Sequence, residues 1–182
     1  MSGILLIYLN RRGNIYMQSK KRIVVVSITL ICMIACIIHA FNGPLYKQQY
    51  SNHAWGYRNY GYVIYKNGTI KEFDKSRDKN PDKKLQKAQI AKEELQELKT
   101  LASQVKDEYS DVSSIKEMWG NQVIEIGPAN DAGVTIRKIY SNRLMRWVFL
   151  SKSGDALGEN THPVTKDILE LTDKLYEKYL KD

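Results

Sequence analysis

Cysteine is nearly absent. The 182 residues hold two, Cys32 and Cys36, both inside one apolar stretch. Beyond Phe41 there is none. That excludes a disulfide framework, a cysteine-ligated zinc site and a cysteine nucleophile in the rest of the chain. A region without cross-links must hold itself together by its core, and about 125 residues suffice for one. Histidine is almost as scarce. His39 lies in the apolar stretch, His53 in the segment after it, and His162 directly before Pro163. Glu159-Asn160-Thr161-His162 places an acid and an imidazole near a helix start, but no second histidine accompanies them to complete a zinc site, so no metal is expected.

Catalytic signatures are also missing. There is no Gly-x-Ser-x-Gly elbow and no Ser-x-x-Lys with its companion motifs. Neither a P-loop nor Gly-x-Gly-x-x-Gly occurs, and Asp131 and Asp155 lack the ligand spacing of an EF-hand. No cofactor is therefore expected. Glu125, Asp131, Asp155 and Glu159 remain as carboxylates that a hydrolase would have to pair at a defined separation. Glu125 stands alone among Val123, Ile124 and Ile126, where strand alternation places it on a solvent face.

The formal charge of +8 is unevenly spread. Residues 1–41 carry Arg11, Arg12, Lys20, Lys21 and Arg22 and no acid, leaving 23 basic and 20 acidic side chains in residues 42–182. A nucleic-acid binder concentrates its charge on the folded domain, so no nucleic-acid partner is expected.

The one long hydrophobic run, residues 23–41, is interrupted only by Ser27, Thr29 and His39. Nineteen residues in a helix span roughly 28 Å, close to the ~30 Å of a bilayer's hydrocarbon core. Lys20-Lys21-Arg22 stands before it, and the first base after it is Lys47. The positive-inside rule then puts the N-terminus in the cytoplasm and everything after Phe41 outside. Three fates are open: an uncleaved signal-anchor, favoured by the length of the run; lipid attachment at Cys36, since Met33-Ile34-Ala35-Cys36 resembles a degenerate bacterial lipobox; or cleavage after Ala40 and release. Met17-Gln18-Ser19-Lys20-Lys21-Arg22 has the form of a short signal n-region, so Met17 is an alternative start.

Residues 42–59 hold Tyr46, Tyr50, Trp55 and Tyr57 among polar residues and read as an aromatic juxtamembrane linker at headgroup level. Tyr62–Tyr65 and Thr69–Phe73 flank Asn67-Gly68, which predicts a two-residue type I′ hairpin. Asn80-Pro81 predicts a helix start, and the apolar steps Leu85, Ala88, Ala91, Leu95, Leu98, Ala102, Val105 and Tyr109 predict one long helix. Ser114 to Glu117 has the form of a capping box for a short turn ending at Gly120, with Trp119 as a core anchor. Val123–Ile126, Val134–Tyr140 and Met145–Leu150 predict a three-stranded meander, with a further short strand near Ala156-Leu157. Pro163 opens a C-terminal helix with the stripe Val164, Ile168, Leu171, Leu175 and Tyr179.

The expected fold class is α+β. An N-terminal transmembrane or signal-anchor helix precedes a small domain, whose antiparallel sheet of about five strands (hairpin plus meander) is packed by a long helix and a C-terminal helix. The expected divisions are a cytoplasmic basic N-terminus (1–22), the membrane segment (23–41), the linker (42–59) and an extracytoplasmic domain (60–182). A chain starting near residue 57 should fold alone as a monomer. The candidate binding residues are Arg137, Tyr140, Arg143, Arg146 and Trp147, an arginine and aromatic cluster of the kind binding hot spots use. The function expected is non-catalytic: a module held at the cell membrane through residues 23–41, binding a protein or an anionic envelope polymer. The alternatives are an inhibitor or immunity-type protein against a toxin or hydrolase and, third, a carboxylate-dependent hydrolase.

Overall fold

The structure is a computed structural model that describes residues 24–34, 42–54, 56–77, 83–119, 122–129 and 131–181. It divides into two units, residues 1–42 and 43–182. In the first, residues 24–34 are helical (α1) and exposed throughout. Val24, Val25, Val26, Ile28, Leu30, Ile31, Met33 and Ile34 all stand about half exposed or more. The Thr29 hydroxyl donates to the Val25 carbonyl at 2.9 Å, which satisfies the polar group within the helix. Among the described residues no helix is long and apolar enough to cross a membrane. The ends of the apolar run, Cys36, the start at Met17 and the basic residues before Ile23 lie outside the described residues.

The second unit is α+β, with an eight-stranded antiparallel sheet rather than one of about five strands. Its elements are β1 (Pro44–Asn52), β2 (Arg58–Tyr65), β3 (Thr69–Asp74), β4 (Lys87–Gln89), α2 (Lys92–Gln104), β5 (Tyr109–Val112), β6 (Ile115–Trp119), β7 (Gln122–Ile126), β8 (Val134–Ser141), β9 (Arg146–Gly154), β10 (Leu157–Asn160) and α3 (Val164–Tyr179). The sheet order is β4-β3-β2-β1-β8-β9-β10-β5, and β6 and β7 form a separate hairpin.

This order has a simple logic. Strands β1 to β4 form one meander and β8 to β10 a second, and the β1–β8 ladder joins them. The chain leaves the first meander at β4, one edge, and re-enters at β5, the opposite edge. Seven strand spacings amount to ~34 Å. Helix α2 covers ~20 Å of that, and the extended residues 105–108 supply ~13 Å more. So α2 must run across the sheet, where Leu95, Leu98 and Ala102 are buried and Val105 closes its end. Helix α3 packs on the same face. Tyr62 stacks on Tyr176 at 4.8 Å and donates to the Thr172 carbonyl at 3.2 Å. The α2 start docks on the α3 end: Glu94 accepts from Lys178 at 2.8 Å and from Tyr179 at 2.7 Å. The Lys178 bond, then the Tyr179 bond, hold the Glu94 carboxyl below its ordinary value.

Several expectations change. The stretch 42–59, read as a linker, contributes β1, a central strand with ladders on both sides. Leu45 and Tyr46 on it are fully buried core residues. A polar strand such as Lys47-Gln48-Gln49-Tyr50-Ser51 lacks hydrophobic alternation, so only its neighbours reveal it. The long helix starts at Lys92, not Pro81; Asn80 and Pro81 lie outside the described residues. Ala88 and Ile90, two apart, turn inward from and just after β4, and Leu85 is exposed. The 3,4 spacing thus ran through a strand by coincidence. Ser114–Glu117 does not cap a turn but enters β6, whose hairpin with β7 overrides it; the Trp119 side chain lies outside those described. Consequently Val123–Ile126 is not part of the second meander.

The β2–β3 hairpin is present, with different turn chemistry. Only Gly68 has positive φ (+86°), and its N–H donates to Tyr65 O at 2.9 Å. The connection is three residues, Lys66-Asn67-Gly68, with the single left-handed residue of a bulged hairpin instead of the two of type I′. Helix α3 follows Pro163 as read, although its buried stripe, Thr165, Ile168, Thr172 and Leu175, is partly threonine.

Two predictions follow from β1. A chain beginning at Gly43 retains the whole second unit. A chain beginning at Tyr57 loses Leu45, Tyr46 and both central ladders. Deleting one large core side chain costs about 2–5 kcal/mol against a typical total of about 5–15 kcal/mol. The shorter chain should therefore give no cooperative unfolding transition by circular dichroism, whereas the longer one should. Within the β1–β2 ladder, Gly61 has φ +157°, and a Cβ there would meet the Gln48 carbonyl oxygen. Gly61→Ala should lower stability by at least about 2 kcal/mol in urea denaturation.

Candidate functional site

The two helices of the second unit cover one face of the sheet; among the described residues of the unit no helix covers the other, the open face. Residues directly opposite across antiparallel strands share a face, so the registers define it. One row runs Lys87, Lys71, Val63, Lys47, Lys138, Phe149 from β4 to β9. The next runs Phe73, Gly61, Gln49, Ile136, Lys152, Gly158, Asp111 from β3 to β5. Tyr140 and Trp147 face each other beside the first row, with rings 5.9 Å apart and edge to face. The face is thus lysine and aromatic, with four lysines in a single row across six strands.

The lysines lie against the rings. Lys47 Nζ is 5.2 Å from the Phe73 ring centre, Lys71 5.1 Å from Tyr65, Lys138 4.9 Å from Trp147, and Lys66 4.4 Å from Tyr140. These cation–π contacts hold flexible side chains in place. Among the described residues none of these four lysines has a salt bridge. Strand spacing sets Lys47 and Lys138 ~5 Å apart and Lys71 ~10 Å from Lys47. Like charges directly opposite cost a sheet roughly 0.2–1 kcal/mol. Burial, then Lys138 and Lys75, push the Lys47 ammonium below its usual value. Lys47, Lys71, Lys75, Tyr65 and Phe73 line a depression of about 350 Å³ on this face. At the far end of the second row Asp111, on β5, is bound by Lys152 at 3.0 Å and Tyr109 at 3.0 Å. Burial and Asp111 push the Tyr109 hydroxyl up to about 12.

The structure divides the five residues picked out from sequence. Tyr140 and Trp147 belong to the open face. Arg137 lies on the helix face, with its guanidinium 3.1 Å from Asp173 on α3. It borders Tyr46, whose buried hydroxyl lies beside Thr172 and Tyr62 and forms no well-directed hydrogen bond. Arg146 is tied to Asp107 at 2.8 Å. Arg143 is exposed in the turn between β8 and β9. The lysines of β1 and β3 and their rings were missed. Their signal is an alternation of lysine and aromatic residues that becomes a surface only once the strand order is known.

The carboxylates take separate places. Asp155 accepts from the Ala132 and Gly133 amides at 2.7 and 2.9 Å and so closes the loop before β8. Asp131 sits in that loop with φ +58°. Glu159 is on β10, and Glu125 is in β7, its side chain outside those described. Among the described residues no group of three or more His, Cys, Asp or Glu is placed to hold a metal. The chain matches no family model, no curated protein and no solved structure.

The Lys47 ammonium supplies a test of the row. Its folded value lies below the unfolded 10.5, so stability rises as pH climbs from the folded value towards 10.5, where the crowded charge is released. Lys138→Met should move the Lys47 pKa, followed by NMR of its side-chain carbons, up towards 10.5. An unmoved titration would mean that the two lysines do not share a face.

Proposed function

We propose that this chain is a non-catalytic binding module, held at the cell membrane by residues 23–41 with its C-terminal unit outside, and that the open sheet face binds an anionic envelope polymer. The single observation that carries this reading is the lysine row. Four like charges, Lys87, Lys71, Lys47 and Lys138, stand in register on one face, and three of them, Lys47, Lys71 and Lys138, lie over aromatic rings and have no salt bridge among the described residues. The arrangement costs stability to the isolated sheet, and a ligand bearing repeated negative charge would offset that cost. Aromatic rings beside the ammoniums add a stacking surface for the uncharged part of such a polymer.

The tether is supported by the apolar run, its basic flank and the exposed apolar side chains of α1. Exposed apolar surface of this kind calls for a covering environment, and a bilayer supplies one.

The test uses the full chain in detergent micelles with long-chain inorganic polyphosphate as the probe, followed by tryptophan fluorescence. Affinity should fall steeply with salt, and Lys47→Glu with Lys138→Glu should weaken binding at least about tenfold while flattening the salt dependence. Arg143→Glu with Arg146→Glu is the contrast. If that pair abolishes binding and the lysine pair leaves it intact, the contact is the β8–β9 turn and the open-face reading is wrong.

A further inference from the structure

A second site lies on the helix-covered face, where α3 meets the chain that leads into β4. Tyrosines from three elements gather there. Tyr60 and Tyr62 stand two apart on β2 and so share a face, ~7 Å apart. Tyr50 of β1 packs on Tyr60 with ring centres 4.8 Å apart, and Tyr176 of α3 packs on Tyr62 at the same distance. The two ring pairs line a cavity of about 130 Å³, which Lys83 and Leu85 also border. That is room for a few waters or for one six-membered ring. The aromatic surface is not sealed. Tyr62 is 2% exposed, whereas Tyr60 is 43% exposed. Helix α3 thus covers one ring pair and leaves the other open. Aromatic walls with a few convergent polar groups are the usual make-up of a small-molecule site.

The polar groups are placed by strand register. Glu72, Tyr62 and Gln48 are neighbours in one cross-strand row. A carboxylate and an amide therefore stand on either side of the Tyr62–Tyr176 stack, ~10 Å apart by strand spacing. The Glu72 carboxylate accepts from the Gln86 amide at 3.1 Å and from the Tyr176 hydroxyl at 3.3 Å, one bond to each oxygen. A carboxylate has about four lone-pair sites, so acceptor capacity is left for a ligand. Gln48 buries its side-chain oxygen, so its amide nitrogen, a donor, is the group left to the cavity. The Tyr50 and Tyr62 hydroxyls are already committed, to the carbonyls of Ala132 at 2.8 Å and Thr172 at 3.2 Å. Those two residues offer their rings alone.

The lining is balanced in charge. Among the described residues Glu72 is its one carboxylate and Lys83 its one ammonium. A strongly charged ligand gains nothing from such a pair, in contrast with the lysine row of the open face. What the walls present is ring surface, an acceptor and a donor. A sugar ring matches all three. Its C–H groups lie against aromatic rings, and the hydroxyls round its edge can both donate, to Glu72, and accept, from Gln48. A purely apolar ring would leave the carboxylate and the amide unmet.

We infer that this cavity binds one neutral pyranose ring of a saccharide, seated against Tyr60 and Tyr176, with its hydroxyls bonded to Glu72 and Gln48. The site is on the opposite side of the sheet from the lysine row and does not rest on the polymer reading.

Isothermal titration tests it, with the full chain in micelles of a polyoxyethylene detergent, which carries no sugar. The probes are maltotriose, cellotriose and chitotriose, with choline as the charged contrast. At least one trisaccharide should bind with Kd below roughly 10 mM, the weak end of useful affinity. Its affinity should not change with salt, because no ion pair is formed. Tyr60→Ala, at an exposed position, should weaken it several-fold, the scale of one aromatic contact. Glu72→Gln should weaken it about tenfold, the scale of one charged hydrogen bond. No heat from any of the three at roughly 10 mM, choline binding more tightly than every trisaccharide, or binding that survives both variants would each overturn the inference. If Glu72→Gln disturbs folding, Tyr60→Ala and the salt series decide it.

Discussion

The fold turns on the pairing of β1 with β8. Each half of the sheet is a local meander whose hairpins are short in sequence and cheap to close. Nothing local joins the halves. The β1–β8 ladder brings together residues some ninety positions apart, Tyr46 beside Ile139 and Gln48 beside Arg137. It also seats Tyr46 between Ile64 and Ile139, at the centre of the core. Once that ladder forms, β4 and β5 are at opposite edges, and α2 has to cross the sheet between them. The crossing buries Leu95, Leu98 and Ala102, and α3 packs on the same face.

One-sided covering follows from that geometry. Both helices of the second unit are used on one face, and among the described residues of the unit no helix covers the other. On that face alternation would normally leave short polar residues. Here it leaves lysines lying on rings, a placement that orders the cations and crowds them. On the covered face, α3 leaves the β9–β10 pair partly open. The resulting cleft has a mixed charge pattern, unlike the lysine row of the open face. Two surfaces of one sheet thus carry different electrostatics.

Much of the fold was legible wherever the determinants were local. Asn67-Gly68 marked a hairpin because glycine takes the left-handed position without steric cost, though the turn proved three residues long. Pro163 marked the start of α3, and the runs at Val134–Tyr140 and Met145–Leu150 marked the β8–β9 pair. The failures share one cause. Residues 42–59 were read by their polarity, whereas β1 is a strand because it lies between two others. The stripe from Leu85 to Tyr109 was read as one helix, although Lys87–Gln89 pairs with β3. Of the candidate site, Tyr140 and Trp147 were found because they are near in sequence, and the arginines beside them were drawn in by the same proximity. Arg137 belongs to the opposite face because successive residues of a strand alternate, and Arg146 is committed to Asp107.

The sequence by itself determined the α+β class, the apolar N-terminal run with its basic flank, the absence of cysteine beyond Phe41, the β2–β3 hairpin marked by Gly68 and the α3 start marked by Pro163. These depend on backbone conformational limits and on hydrophobicity within a few residues, which need no distant partner. The tertiary structure alone decided that the sheet has eight strands, that β1 is its centre, and that lysines from β1, β3, β4 and β8 share a row. Cross-strand neighbours are set by long-range register, and a register is fixed only when the whole face finds its core.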